Sequence, residues 1–108
     1  MIKIDKDNFE EEVINAGGTV ILDFWGPSCR PCLALMPKVE ELAAAYEGRI
    51  KFGEVNCAEN RRLCISLKVM SLPTFLVFTD GKETGRITGQ ALTIEDIRAF
   101  AGEAAPPL

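Results

Sequence analysis

Blocks of apolar residues predict a chain in which strands and helices alternate. Continuous or alternating apolar runs indicate strands, and apolar residues that recur at helical spacing indicate helices. The predicted strands are residues 2–5, 19–25, 50–56, 74–79 and 83–88, the first as a short edge strand. The predicted helices lie between residues 7 and 17, and at 31–46, 59–68 and 93–102. The pattern is that of an α/β protein.

Two pairs of polar residues predict where helices begin. Asp7 with Glu10, and Thr93 with Asp96, both place a capping side chain three residues before an acidic one. The small residues and prolines after Gly102 predict a frayed tail.

The order of the elements predicts a mixed central sheet with helices on both faces. Strands joined through helices run parallel, whereas the Asp80-Gly81 pair between the last two runs predicts an antiparallel hairpin. We find no repeat or linker, so we expect a single domain over residues 1–108.

Composition narrows the functional classes. With 12 basic and 16 acidic residues the net charge is −4, which argues against nucleic acid or an anionic membrane as the main partner. No stretch is apolar enough to predict a signal peptide or a membrane span, so we expect a cytoplasmic protein. The chain has no histidine, which excludes Ser-His-Asp and Cys-His nucleophiles and HExxH zinc sites.

The candidate chemistry lies in a Cys-x-x-Cys motif at a strand-to-helix junction. Cys29 and Cys32 follow the apolar run 19–25 and open the predicted helix 31–46. The free N–H groups and positive dipole end of a helix favour a thiolate, the reactive form of cysteine. Residues three apart are neighbours on a helix, so Cys32 is within reach of Cys29. We therefore predict a thiol pair that opens and closes as a disulfide.

Two other interpretations of the four cysteines stay open from the residues alone. In the first, Cys29 and Cys32 form half of a zinc or iron-sulfur site, and Cys57 and Cys64 form the other half. Cys57 and Cys64, however, lie farther apart in the sequence than the close pairs of a zinc ribbon. A purely structural disulfide is the other interpretation, but so short a loop stabilises a fold by only about 2 kcal/mol.

The motifs resemble those of the thioredoxin family. The resemblance rests on Asp23 to Pro27, then Cys29-Arg30-Pro31-Cys32, then Ser71 to Thr74 before a strand, and Gly89 after the hairpin. It extends from about Phe9 to Phe100, with matching order and spacing.

The resemblance implies a thioredoxin-like α/β/α fold and an enzyme that reduces protein disulfides. Cys29 would attack a substrate disulfide, and Cys32, buried one turn below, would resolve the mixed disulfide. The implied partners are disulfide-containing proteins and a thioredoxin reductase or equivalent electron donor. We expect no cofactor, no metal and a monomer.

Further site residues are predicted around this pair. Strand alternation places Asp23 on a covered sheet face, where desolvation raises its pKa and suits it to take the proton of Cys32; a water-exposed strand-end aspartate is the alternative. Pro73 is an ordinary trans proline by base rate, but the resemblance implies a cis proline beside the two sulfurs. The remaining predicted substrate-binding residues are Trp25, Gly26, Pro27, Arg30, Pro31, Leu72, Thr74, Gly89 and Gln90.

Three positions depart from the family pattern. Ser28 stands where a second tryptophan is usual, which leaves the choice of partners open. Arg30 replaces a glycine and should lower the pKa of Cys29 and make the couple more oxidising, unless it is simply solvated. Glu54 replaces a lysine and, if it lies near Asp23, should raise a carboxyl pKa further.

The departures leave two alternatives to a general reductase. One is a more oxidising, isomerase-like or partner-specialised enzyme, and the other is a non-catalytic metal-binding or interaction module. Cys57 and Cys64 are not family features; buried free thiols are the favoured interpretation, and a second, regulatory disulfide is the alternative.

Overall fold

The computed structural model of the protein describes residues 1–106 and contains one five-stranded mixed sheet. The strands are β1 (Ile2–Lys3), β2 (Thr19–Trp25), β3 (Lys51–Asn56), β4 (Thr74–Thr79) and β5 (Lys82–Thr88). The helices are α1 (Arg30–Ala45), α2 (Arg61–Ser66), α3 (Ile94–Ala104) and a short π-helical segment, Glu10–Ile14. The predicted order of elements and the α/β class are confirmed.

The sheet order is β1-β3-β2-β4-β5. β1, β3 and β2 run parallel, β4 runs antiparallel to β2, and β5 runs antiparallel to β4. The central position of β2 and β4 explains why their sequences are almost wholly apolar. β2 buries every residue from Val20 to Phe24, and β4 buries every residue from Thr74 to Phe78.

Hydrophobic cores lie on both faces of the sheet. Val20, Leu22 and Phe24 point to the face that carries the π-helical segment and α2. Ile21 points to the opposite face, where the buried side chains of α1 and α3 pack. This is the alternation that the sequence predicted for β2.

The first helix differs from the prediction in its hydrogen-bonding pattern and in its N-terminal cap. Glu10–Ile14 closes with a bond from the Asn15 N–H to the Glu10 carbonyl, and no side chain caps it. The predicted Asp7 cap is wrong. Asp5 and Asn8 hold the turn instead, because the Asp5 carboxylate accepts the Asn8 N–H at 3.1 Å and the Asn8 side chain accepts the Asp5 N–H at 2.8 Å.

The other boundaries move by at most two residues, and those of β2 and β4 are as predicted. The edge strand (Ile2–Lys3) and α2 (Arg61–Ser66) are shorter than predicted, and the positive φ of Lys68, +58°, prevents α2 from extending to the predicted end. The capping box of Thr93 and Asp96 is confirmed, and α3 continues beyond the predicted end at Gly102 to Ala104. Residues 107 and 108 of the predicted tail lie outside the described residues.

None of the helices described in residues 1–106 is long and apolar enough to cross a lipid bilayer.

Candidate active site

Cys29 and Cys32 meet at the end of the central strand. Cys29 is the residue before α1, and its sulfur is bonded to that of Cys32, with the two Cα atoms 5.3 Å apart. The Cys29 sulfur also accepts a hydrogen bond from the Cys32 backbone N–H at 3.3 Å. The predicted disulfide at a helix N-terminus is therefore confirmed.

The two sulfurs differ in their access to solvent. Cys29 is half-buried, whereas Cys32 is only 2% exposed. A disulfide or thiol from outside therefore reaches Cys29 first, and Cys32 reacts from within the protein.

A groove with a volume of about 680 Å³ opens beside Cys29. Six of its lining residues were predicted to bind substrate: Gly26, Pro27, Arg30, Pro31, Leu72 and Gln90. Ser28 and Ala58 also line it, and so does Cys57, which sequence reasoning did not place there. A larger cavity, about 780 Å³, lies where β2 and β3 begin, at the opposite end of the sheet from the disulfide.

The Leu72–Pro73 peptide bond is cis, so the interpretation of Pro73 as an ordinary trans proline is wrong. Hydroxyl groups anchor this loop, since Thr88 Oγ1 lies 2.9 Å from Ser71 Oγ and 2.7 Å from Thr74 Oγ1. The Pro73 carbonyl accepts the Gly89 N–H at 3.1 Å. The loop before β4 and the end of β5 are thereby held together at the edge of the groove.

Three of the predicted binding residues lie outside the groove lining. Thr74 is 2% exposed, and its hydroxyl donates to the Ser71 carbonyl at 2.6 Å. Gly89 is occupied by its bond to the Pro73 carbonyl, although the space beside its Cα is open. Trp25 is half-buried, and its indole N–H has no hydrogen-bond partner among residues 1–106.

Asp23 is a buried carboxyl group near the disulfide end of β2. It is 2% exposed, which excludes the water-exposed alternative. Burial, and secondarily the charge of Glu54, raise the pKa of Asp23 to about 7. Glu54 is its direct neighbour in the register of β2 and β3, so the predicted proximity of the two carboxylates is confirmed.

Arg30 is exposed at the first position of α1 and takes part in none of the ion pairs found within residues 1–106. Its charge therefore acts at the mouth of the groove, beside Cys29.

Cys57 and Cys64 are free thiols in the structure. Cys57 follows β3 and is half-buried, and Cys64 lies in α2 and is 4% exposed. Within residues 1–106 no three Cys, Asp or Glu side chains cluster in a way that could hold a metal ion.

Comparison with known proteins agrees with this geometry. The family model described as Thioredoxin matches residues 1–103. A thioredoxin of Peptoclostridium acidaminophilum is 44% identical over 100 residues, which cover 93% of this chain and 91% of the relative. A thioredoxin of Acetoanaerobium sticklandii is 37% identical over 100 residues, covering 93% and 95%. Thioredoxin 1 of Nostoc sp. is 34% identical over 87 residues, covering 81% of each.

The disulfide and these relatives do not favour the metal-binding or purely structural alternatives. The chain belongs to the thioredoxin family and is a thiol-disulfide oxidoreductase whose redox-active pair is Cys29 and Cys32.

Proposed function

We propose that the protein reduces the disulfides of other proteins, with Cys29 as the nucleophile and Cys32 as the resolving thiol. The observation that carries this proposal is the difference in access between the two sulfurs, one at the groove and the other 2% exposed. The Cys29 thiolate attacks a substrate sulfur and forms a mixed disulfide. The Cys32 sulfur then displaces the substrate thiolate and closes the 29–32 bond.

The helix N-terminus supports the first step. When Cys29 is reduced, its sulfur lies at the position that the Cys32 N–H already faces. A hydrogen bond and the helix dipole both favour the negative charge of the thiolate there. Arg30, whose guanidinium carries a permanent positive charge, acts in the same direction.

Asp23 supports the second step. Resolution requires that Cys32 lose its proton inside the protein. A buried carboxyl whose pKa is raised to about 7 is half-ionised near neutral pH and accepts a proton readily. We therefore propose Asp23 as the base for Cys32.

Substrate recognition uses the groove and the loop before β4. Leu72 lines the groove, and its backbone is proposed to pair with an extended substrate segment. Pro73, Gly89 and Thr74 hold this loop in place through the bonds described above. The residues proposed to touch substrate are Trp25, Gly26, Pro27, Arg30, Pro31, Leu72 and Gln90.

The partners are proposed to be disulfide-containing proteins and a thioredoxin reductase or an equivalent donor. We propose that the chain acts as a single-domain monomer in the cytoplasm, where thiols such as Cys57 and Cys64 stay reduced. The electron donor is identified by measuring the reduction of a disulfide-containing protein in the presence of each candidate reductase.

The experiment that tests the thiol roles traps the mixed disulfide. The variants Cys32→Ser and Cys29→Ser are made in a Cys57→Ser/Cys64→Ser background, so that each protein has one thiol. After incubation with insulin, Cys32→Ser should accumulate a covalent complex that dithiothreitol releases, because nothing resolves it. The complex is measured by non-reducing electrophoresis and intact mass.

The Cys29→Ser protein is the matched control, and its only thiol is the buried one. We expect it to form at least about tenfold less complex, since exchange requires access to the sulfur. Equal trapping by both variants would show that the proposed roles are wrong.

A further inference from the structure

A second pair of thiols lies next to the groove and takes no part in the mechanism above. Cys57 follows β3, and the chain then turns back into α2. The Asn60 N–H donates to the Cys57 carbonyl at 3.4 Å, and the Cys64 N–H donates to the Asn60 carbonyl at 3.0 Å. These bonds place Cys64 over Cys57, and both side chains belong to one hydrophobic core.

The two thiols interact directly. Hydrogen bonding with Cys64, together with burial, raises the pKa of Cys57, and the same hydrogen bond lowers the pKa of Cys64. The pair therefore gives up one proton more easily than an isolated buried thiol does, because the remaining S–H stabilises the thiolate. Such a pair is chemically coupled rather than two separate core residues.

The two thiols differ in access in the same way as the catalytic pair. Cys57 is half-buried and lines the groove that also contains Cys29. Cys64 is 4% exposed and lies behind it. A small disulfide that enters the groove therefore reaches Cys57 before it reaches Cys64.

We propose that Cys57 and Cys64 form a second thiol-disulfide exchange site, which reduces small-molecule disulfides and is itself oxidised to a 57–64 disulfide. Cys57 is the entry thiol and Cys64 the resolving thiol. The substrate class is a disulfide small enough to reach a half-buried sulfur at the groove wall, not a folded protein.

The proposed reaction proceeds in two displacements. Within the pair the thiolate lies on Cys64 and the S–H on Cys57, so Cys64 takes the proton of Cys57 as the Cys57 sulfur attacks one sulfur of the small disulfide RSSR. A Cys57–SR bond forms, the S–S bond breaks and RS⁻ leaves. Cys64 then loses its proton, and its sulfur attacks Cys57, forming the 57–64 bond and releasing the second RS⁻. With the two protons, the products are a protein disulfide and two RSH, and two electrons pass from the protein to RSSR.

The test uses a variant in which only the second pair remains. A reduced Cys29→Ser/Cys32→Ser protein is incubated with 2-hydroxyethyl disulfide under native conditions. We expect it to lose both thiols, to release two equivalents of mercaptoethanol, and to have an intact mass that shows an internal disulfide with no adduct.

Two further variants assign the roles. Adding Cys64→Ser should leave a stable mercaptoethanol adduct on Cys57, because the resolving thiol is gone. Adding Cys57→Ser should slow the reaction at least tenfold, because Cys64 is buried. Wild-type protein with its 29–32 disulfide already closed provides a second measurement. Its two free thiols should disappear at the rate seen in the Cys29→Ser/Cys32→Ser protein.

Three results would overturn the proposal. They are retention of both thiols, a persistent adduct although Cys64 is present, and equal rates for Cys57→Ser and Cys64→Ser. None of these proteins uses Cys29 or Cys32 as a thiol, whereas the trapping experiment above lacks Cys57 and Cys64. Failure of one proposal is therefore distinguishable from failure of the other.

Discussion

Arg30 is the residue through which this active site is expected to differ most from the family pattern. Its guanidinium lies at the mouth of the groove, one residue from Cys29 and exposed. A neighbouring positive charge favours the thiolate, but solvent weakens the interaction. Arg30→Gln is therefore expected to raise the pKa of reduced Cys29 by about half a unit, the effect of an exposed charge worth ~0.7 kcal/mol.

The pKa is measured as the pH dependence of Cys29 alkylation by iodoacetamide. Lys38→Gln is the matched control, since Lys38 is also an exposed cation on α1 but lies two turns farther from the thiol. It should leave the alkylation profile unchanged. If both variants gave the same shift, the effect would be one of net charge, and Arg30 would have no special role.

The hairpin between β4 and β5 is the element that ties the sheet to the π-helical segment. Its turn residues, Asp80 and Gly81, have φ values of +49° and +83°, as a tight hairpin turn requires. A Cβ at Gly81 would collide with the Ile14 backbone. The turn thus packs against the end of the π-helical segment, in addition to reversing the chain.

Gly81→Ala is expected to reduce the free energy of unfolding by roughly 2–4 kcal/mol, because the residue loses its φ freedom and also displaces Ile14. Gly48→Ala is the matched control. Gly48 has a φ of +85°, but no atom lies within 4 Å of its Cβ position. Gly48→Ala should therefore reduce the free energy of unfolding by only about 1 kcal/mol. Urea unfolding of both proteins measures the difference, and equal losses would show that the contact with Ile14 contributes nothing.

At the scale of the whole molecule, Asp23 links stability to pH. Its pKa is about 7 in the folded protein, against the ordinary 3.8 of an aspartate exposed to water. The folded state therefore binds more protons than the unfolded state between about pH 4 and pH 7, and stability falls as the pH rises through that window. At 1.4 kcal/mol per pH unit, the loss is at most roughly 4 kcal/mol.

Asp23→Asn removes this dependence. We expect the oxidised variant to be more stable than wild type by about 2–4 kcal/mol at pH 8, and nearly equal to it at pH 4. Reduction of insulin by the variant should be slower near neutral pH, because the base proposed for Cys32 is gone. Unfolding curves at both pH values and the pH profile of the rate measure these effects.

Glu54→Gln provides the control, since it removes only the smaller of the two causes of the raised pKa. Glu54→Gln should lower the pKa of Asp23, and with it the pH range over which stability falls. The Asp23 carboxyl group, the proposed base, stays in place. A gain in stability for Asp23→Asn that is the same at pH 4 and pH 8 would contradict the linkage.

The sequence predicts the central architecture well because β2 and β4 are buried on both sides. Their short, continuous apolar runs predict buried strands, and the alternation of side chains along β2 places Asp23 on the same face as Ile21. The position of Cys29 and Cys32 follows, since a helix that begins directly after a central strand carries its first residues at the end of the sheet.

What the sequence did not predict depends on neighbours that are distant along the chain. Cys57 reaches the groove because Asn56 pairs with Trp25 at the ends of β3 and β2, and Cys57 N–H then bonds the Trp25 carbonyl. No local pattern encodes that register. Nor does one identify the turn that Asp5 and Asn8 hold, since Asp7 offers an equally good capping signal two residues later.

The hydrogen bond from the Cys32 backbone to the Cys29 sulfur has a consequence for the redox cycle. The donor is in position while the sulfur is still neutral and covalently bonded. When two electrons break that bond, the new charge arises where a peptide dipole already points, so little rearrangement of the surroundings is required. Oxidised and reduced forms are therefore expected to share one backbone, and partners would distinguish them by charge and sulfur position rather than by shape.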